Sequence, residues 1–281
     1  SVLIKGSEVA GAELMTNHLL AMSADESTEN PLGGIPTTEP AFGLPAIWVP
    51  ERDRERAQAM GYTVVNLATV IATHLTEVLR QYAHELLTRQ ETQKLLDSVK
   101  KKYPKVIEGV VPEMLSLGQI QKVLQNLLRE RVSIRDMLTI IETLADRASS
   151  TKHPALLTEF AQRSLARSIS KQYMASDGKL YMMMFDQEIE SLIQQASQQS
   201  EDGVILALEP SIAQRILDSI GQAVEQFSVL QMQPVLTCLP AIRPQVRRLV
   251  EKFYPNLIVL SHAEILPSVQ IETVAIVRLE E

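Results

Sequence analysis

The feature that most constrains the fold of this chain is a long stretch, from about residue 88 to residue 166, whose apolar residues recur only at helical spacing. The string "SLGQ" at 116–119 is a capping-box pattern, and an amphipathic stripe follows it: Ile120, Val123, Leu124, Leu127 and Leu128. Ser133 stands where it would cap a second helix, and Pro154 stands at the first turn of a third. The sequence therefore predicts an all-helical part in the middle of the chain.

The residues before this stretch indicate a small mixed α/β unit. "SVLIKG" (1–6) is typical of a strand closed by Gly6, and "AIWV" (46–49) and "YTVV" (62–65) are short strand candidates. Residues 51–60 have the charge pattern of a surface helix that stops at Gly61, and the polar, Gly- and Pro-rich stretch 25–40 is predicted to be loop.

A long helix is predicted to open near Asn66 or Thr69. Its apolar residues fall on one face at helical spacing: Ile71, Leu75, Val78, Leu79, Tyr82 and Leu86. Such a face is typical of a helix that packs against a hydrophobic core.

The residues after the helical stretch alternate between short apolar runs and helices, as in a layer of βαβ units. The predicted strands are 181–185, 204–208, 234–238, 257–261 and 271–277. The predicted helices follow Asp186, which has the position of an N-cap, and cover 211–227 and 242–253.

Composition narrows the function classes. The 27 Lys and Arg residues against 34 Asp and Glu give a net charge of -7, which argues against a general nucleic-acid binder because such proteins depend on clustered cations. The single cysteine, Cys238, excludes an intrachain disulfide and fits a reducing compartment. The first residues have no signal-peptide pattern and begin abruptly, as in a piece of a longer protein.

The sequence contains few candidate catalytic or metal-binding motifs. "LGGIP" (32–36) lacks the lysine of a phosphate-binding loop, and no HExxH string is present. His74 and His84 are ten residues apart and so lie on different faces of their helix, which does not suit a shared metal. Cys238 is interpreted as a small buried hydrophobe. We expect neither a metal nor a cofactor.

Three further features have competing interpretations. His262 and Glu264 follow a predicted strand, where α/β proteins place functional groups, so they are the candidates for catalysis. The "MMM" at 182–184 suits either a pliable partner-binding patch or a strand packed in the core, and we favour the core. The basic face of 243–252 is interpreted as solvated.

Several long strings occur in one order along the chain: "IKGSEVAGAEL" (4–14), "PTTEPAFGLPAIWV" (36–49), "GYTVVNLATVIATHLTEVLRQYAHELLTRQE" (61–91), "SLGQIQKVLQNLLRERVSIRDMLTIIETLAD" (116–146), "RSLARSISKQY" (163–173), "PAIRPQVRRLVEKFYPNLIVLSHAEI" (240–265) and "VQIETVAIVRL" (269–279). Together they closely resemble the C-terminal cytoplasmic domain of the flagellar type III export-gate proteins, the FHIPEP family. The injectisome export-gate proteins are the nearest relatives of that family.

The resemblance implies an α+β fold with two small α/β subdomains, an all-helical middle subdomain and a C-terminal α/β layer. The division it implies is 1–17 plus 67–87, an inserted 18–66, 88–166 and 167–281. It also implies that this is the cytoplasmic part of an inner-membrane protein, that it forms a nonameric ring, and that it has no catalytic activity. The implied partners are export chaperones with bound subunits and other export components, including the ATPase complex, and no nucleic acid.

In the flagellar proteins a chaperone-docking pocket uses a D-P-A-F string and a threonine of an A-T-H-L string. The matching positions here are Phe42 and Thr73, together with Glu39, where an aspartate is expected. An exposed aromatic flanked by small residues suits a binding hot spot. The competing interpretation is that Phe42 is buried beneath Trp48, which itself is expected in the core.

Two other functions stay open at this point. One is the same domain in a virulence injectisome, and the other is an enzyme with a site near His262. Docking predicts an apolar cleft at Phe42, whereas catalysis predicts titratable groups that converge around His262.

Overall fold

The computed structural model describes residues 1–23, 32–200, 203–230 and 232–279. The chain forms two compact units, Ser1–Leu86 and Leu87–Glu281. Both helices and sheets are present in each unit, which confirms the mixed fold class. The finer division into four subdomains stays a prediction.

The first unit begins with a hairpin of two antiparallel strands, β1 (Val2–Ile4) and β2 (Ser7–Ala10). Lys5 and Gly6 both have positive φ, 52° and 85°, as a two-residue hairpin turn requires. The predicted strand at 1–6 is therefore the first arm of a hairpin, and Gly6 does end it.

A four-stranded antiparallel sheet follows, in the order β4-β5-β3-β6. Its strands are β3 (His18–Met22), β4 (Ile35–Thr38), β5 (Pro45–Pro50) and β6 (Thr63–Val65). Strand β4 corrects part of the loop predicted at 25–40, of which 25–31 lie outside the described residues. Pro36 is tolerated because β4 is an edge strand.

Helix α1 (Arg54–Ala59) follows a short 3-10 turn at Glu51–Asp53 and packs Ala57 against one face of this sheet, in a cluster with Leu19 and Val49. Helix α2 (Leu67–Leu86) packs on the opposite face of the sheet. Its Val70 lies in a cluster with Leu20, Ala46 and Trp48, which alternate along β3 and β5 with the residues that face α1. The sheet is thus covered on both faces by its own unit.

The start of α2 is as predicted, but most of its predicted apolar face is exposed, with Val78 as the buried member. Asn66 Oδ1 accepts a hydrogen bond from Thr69 N at 2.8 Å, so Asn66 acts as the N-cap. Four of the predicted core residues are exposed by 41 to 46%: Ile71, Leu75, Leu79 and Leu86. The buried residues of α2 are Val70 and Val78, and Ile71 and Leu75 instead line an apolar cavity of about 250 Å³ with Val2 and Leu14.

The second unit opens with helices, as the sequence predicted: α3 (Arg89–Lys102), α4 (Pro104–Ile107), α5 (Leu117–Arg129), α6 (Met137–Arg147), α7 (Pro154–Ser164) and α8 (Ala166–Tyr173). Ser116 and Gln119 form the predicted capping box of α5. Ser133 is not the next N-cap. Asp136 takes that role by accepting a hydrogen bond from Thr139 N at 3.1 Å, since the helix begins only at Met137.

A four-stranded parallel sheet completes the unit, in the order β11-β10-β7-β12. Its strands are β7 (Lys179–Phe185), β10 (Val235–Cys238), β11 (Ile258–Ser261) and β12 (Gln270–Val277). The fifth predicted strand, at 204–208, is outside this sheet. It is represented by β9 (Gly203–Leu206), which pairs antiparallel with β8 (Ser197–Ser200).

Helices cover both faces of the parallel sheet. Leu180, Met182 and Leu260 share one core with helices α3–α8. Met183, Leu236 and Cys238 share a second core with α9 (Gln187–Gln195), α10 (Pro210–Val229) and α11 (Arg243–Val250). Met182 and Met183 are buried, which confirms core packing for the methionine run. No helix in the described part of the chain is both long and apolar enough to span a membrane.

Candidate docking site

Phe42 lies in the turn between β4 and β5, and its side chain is 58% exposed. Leu44, two residues later, is 50% exposed. Trp48 is buried and packs with Leu20, Ala46 and Val70. The interpretation that Phe42 is buried beneath Trp48 is therefore wrong, and Trp48 is a core residue as expected.

The turn that carries Phe42 is closed by its own backbone. Glu39 N donates to Leu44 O at 2.8 Å, and Gly43 N donates to Glu39 O at 2.9 Å. Gly43 has φ 73°, a conformation that side chains disfavour, so glycine suits this position. These bonds hold two exposed apolar side chains, Phe42 and Leu44, on one short closed turn.

The Glu39 side chain faces this turn and not the solvent. Only 4% of Glu39 is exposed, and its carboxylate accepts hydrogen bonds from the backbone N–H groups of Ala41 and Phe42. A residue in this environment offers little surface to a partner.

Thr73 is half-buried on α2, one helical turn after Val70. Val70 shares a core cluster with Ala46, which lies two residues after Leu44 in β5. The elements that carry Phe42 and Thr73 are thus joined through one core within the first unit. Leu44 was missed in the sequence, where its position between Gly43 and Pro45 was the available signal.

The titratable groups near His262 converge on a different residue, Arg243. This side chain is fully buried at the start of α11, so the interpretation of 243–252 as a solvated basic face is wrong at Arg243. Its guanidinium forms ion pairs with Glu130 and Glu159, and its Nε lies 3.4 Å from Glu264 Oε1. Sequence reasoning missed this cluster because its members are distant along the chain.

Glu264 is the member of the cluster whose pKa is moved toward neutrality. Burial raises its pKa to about 7, while Arg243 and the hydroxyl of Ser261 act in the opposite direction. Glu264 Oε1 accepts a hydrogen bond from Ser261 Oγ at 2.6 Å, which closes the short 3-10 helix His262–Glu264. His262 itself is exposed.

Glu130 and Glu159 line a polar cavity of about 170 Å³, but both carboxylates already form ion pairs with Arg243. For Glu130, Arg243 lowers the pKa in spite of burial.

Burial raises the pKa of the Cys238 thiol far above its usual range, which disfavours the nucleophilic thiolate. Among the described residues, no group of three or more His, Cys, Asp or Glu side chains is placed to hold a metal ion. The cluster is an ion-pair network around the buried Arg243, which joins α11 to α7 and to the C-cap of α5.

A family model described as FHIPEP matches residues 1–270. The chain belongs to the FHIPEP family. Among curated FHIPEP relatives, the flagellar biosynthesis protein FlhA of Bacillus subtilis is 43% identical over 274 residues, covering 98% of this chain and 40% of that protein. FlhA of Yersinia enterocolitica is 41% identical, covering 94% of this chain and 37% of the relative.

Solved structures agree with the FHIPEP assignment. The CdsV protein of Chlamydia pneumoniae is 26% identical with a TM-score of 0.86, and the match covers 96% of this chain and 78% of that chain. The nonameric SctV-C of EPEC has a TM-score of 0.75 at 22% identity, covering 94% of this chain and 79% of that chain, and supports the fold alone. The chain spans about 40% of the length of the curated FHIPEP relatives it matches.

Proposed function

We propose that this chain is a docking platform of the flagellar type III protein export apparatus. It receives export chaperones with bound subunits at the turn that carries Phe42 and orders their delivery to a membrane export gate. The observation that supports this most is the 58% exposure of Phe42 on a closed turn beside a second exposed apolar residue, Leu44.

The chemistry of this turn suits docking. Phe42 offers a large apolar surface with only two side-chain torsions to fix, and Ala41 and Gly43 leave that surface uncovered. An amphipathic helix that lays its apolar face on Phe42 and Leu44 is the matching partner element. Thr73, half-buried on α2 of the same unit, is included in the proposed site, and Glu39 supports the turn.

The wider assembly is part of the same proposal. In the export-gate family, the solved cytosolic domain of EscV and the SctV-C of EPEC are nonameric, and CdsV has been solved in complex with CdsO. By analogy, this chain is the cytoplasmic part of a membrane protein, forms a ring of nine, contacts the ATPase complex and performs no catalysis. The flagellar system is favoured because the curated relatives named FlhA are 32 to 43% identical.

Calorimetry tests the docking site. The titrant is the chaperone of the flagellar filament subunit, loaded with that subunit, from the same bacterium. Phe42→Ala is expected to lose about 2 kcal/mol or more of binding free energy, which is a loss of about 30-fold in affinity. Circular dichroism checks that the variant is folded.

Phe253 provides a matched control, because it is an equally exposed phenylalanine (59%) in the other unit. Phe253→Ala is expected to bind as the wild type does. Equal binding by Phe42→Ala and the wild type would refute the site. If the wild type binds no flagellar complex but binds an injectisome chaperone, the flagellar assignment is wrong.

A further inference from the structure

We infer that Glu39 is a positioning residue, which sets the direction of Phe42 from beneath the turn and does not touch the docked partner. This inference rests on the proposed docking function of Phe42. It assigns to Glu39 a role different from the direct contact that the matching motif suggests.

The first support is the direction of the Glu39 carboxylate. Its Oε2 accepts a hydrogen bond from Phe42 N at 2.7 Å, and both oxygens lie 3.0 Å from Ala41 N. Glu39 is 4% exposed, whereas Phe42 is 58% exposed and Leu44 is 50% exposed on the same turn. The charged group is therefore used inside the turn.

The second support is that Glu39 also holds the turn by its backbone, through Leu44 O and Gly43 N. One residue thus binds the backbone of four others: Ala41, Phe42, Gly43 and Leu44. Hydrogen bonds to a carboxylate are about twice as strong as those between neutral groups. The N–H of Phe42 is fixed by such a bond, and with it the direction in which the Phe42 side chain leaves the backbone.

A fixed anchor has a consequence for affinity. An interface side chain or loop that is already ordered loses less conformational entropy when the partner binds. Glu39 therefore contributes to affinity through Phe42 only, and its contribution disappears when the phenyl ring is removed.

The intervening Pro40 explains why a carboxylate side chain suits position 39. Proline has no backbone N–H, so the nearest donors beyond residue 39 are those of Ala41 and Phe42. Aspartate side chains form such bonds with donors two and three residues ahead in turns. Glu39→Asp is therefore expected to keep the turn, although its side chain is one methylene shorter.

A double-mutant cycle tests the inference, with the loaded filament-subunit chaperone as the probe. Glu39→Ala is expected to weaken binding by about five- to ten-fold in the wild-type background and by less than about two-fold in the Phe42→Ala background. Glu39→Asp is expected to restore binding to within about two-fold. Glu51→Ala, which removes the same charge from an exposed position in the same unit, is the control and is expected to bind as the wild type does.

Backbone amide NMR signals supply a readout that does not depend on the partner. Glu39→Ala is expected to shift the amide signals of Ala41 and Phe42 and to speed their hydrogen exchange. Glu39→Gln keeps the side-chain volume but replaces one acceptor oxygen, and it is expected to have the same effects. Glu39→Asp is expected to leave both protected. Unchanged Ala41 and Phe42 amides in Glu39→Ala would overturn the inference.

The outcomes separate this inference from the docking proposal. If Phe42→Ala binds normally, docking at Phe42 is refuted and the role of Glu39 with it. A second outcome is that Phe42→Ala loses affinity, and that Glu39→Ala causes the same fold-loss of affinity in the Phe42→Ala background as in the wild type. Docking at Phe42 then stands, and Glu39 contacts the partner directly. If Glu39→Ala has no effect on affinity, docking stands and the positioning role is wrong.

Discussion

Replacement of Arg243 by methionine tests whether the buried ion-pair network stabilises the second unit. The Arg243 side chain is 0% exposed and faces three carboxylates, those of Glu130, Glu159 and Glu264. Arg243→Met keeps an unbranched apolar stem but removes the positive charge. Glu130 and Glu159 then lose their ion-pair partner, and Glu264 loses the positive charge nearest to it.

The expected cost follows from the exposure of these partners. Removing one member of a buried ion pair costs about 3–5 kcal/mol, because the remaining charge stays desolvated. The side chains of Glu130 and Glu159 retain 18% and 13% exposure and reach some water, whereas Glu264 retains 1%. We therefore expect Arg243→Met to lower the free energy of unfolding of the second unit by about 4 kcal/mol near neutral pH.

The pH dependence of this loss identifies its cause. Arg243 holds the pKa of Glu130 below its usual value in spite of burial, so that pKa rises when Arg243 is removed. The folded variant then binds protons more readily than the unfolded chain. Lowering the pH from about 8 to about 5 is therefore expected to recover part of the lost stability.

Urea unfolding followed by far-ultraviolet circular dichroism measures the loss, and Trp48 supplies an internal control. Trp48 is the only tryptophan and lies in the first unit, so its fluorescence reports on that unit. The exposed Arg248 on the same helix gives the matched variant, and Arg248→Met is expected to change stability by less than about 0.5 kcal/mol. Equal losses in the two variants, or a loss in Arg243→Met that is the same at both pH values, would refute the reasoning.

Two more predictions concern stability. Burial raises the pKa of Glu264 to about 7, above the usual value of a free glutamate. Between these two values the folded state holds a proton that the unfolded chain has lost. The contribution of Glu264 to the free energy of unfolding is therefore full below about pH 4.5 and is lost as the pH rises through 7. Glu264→Gln is expected to abolish this decline, on the order of 3 kcal/mol, in urea titrations across that range; an unchanged slope in the variant would contradict it. A Cβ at Gly34 would lie 2.5 Å from Trp48 O and would also collide with Ile47, so Gly34→Ala is expected to cost about 1–3 kcal/mol, seen as an earlier Trp48 fluorescence transition. At Gly33 a Cβ would meet nothing within 4 Å, but φ is 68°. Gly33→Ala is therefore expected to lower the free energy of unfolding by about 1 kcal/mol through backbone strain alone. A larger loss for Gly33→Ala than for Gly34→Ala would argue against the collision at Gly34.

The features that the sequence predicted well are local ones. The capping box at Ser116 and Gln119, the N-caps at Asn66 and Asp186, and the turn at Gly6 depend on residues within four positions of one another. The choice of Asp136 over Ser133 was missed because both residues are good N-caps and only the packing of Met137 and the residues after it decides between them.

Features that depend on distant residues were not predictable from periodicity. Arg243 finds its partners Glu130 and Glu159 at separations of 113 and 84 residues, and one basic residue in an amphipathic helix looks the same whether buried or solvated. Strand β4 was hidden by its Pro36. Of the two buried residues of α2, Val78 lies on the predicted apolar face and Val70 does not.

At the docking site, the sequence placed Phe42 but not its surroundings. The residues alone left a buried Phe42 as the competing interpretation, and the resemblance to the flagellar docking motif favoured an exposed one. The structure shows Phe42 exposed. That Glu39 folds back onto Ala41 and Phe42 depends on side-chain torsions, which residue type alone does not determine.

Hydrogen exchange of the free chain and of its complex with the loaded filament-subunit chaperone tests the docking claim most directly, because it locates the bound surface without any substitution. We predict slower exchange in peptides that cover residues 39–44 and Thr73, and no change in peptides that contain Phe253 or His262. Protection around His262 with none at Phe42 would contradict it.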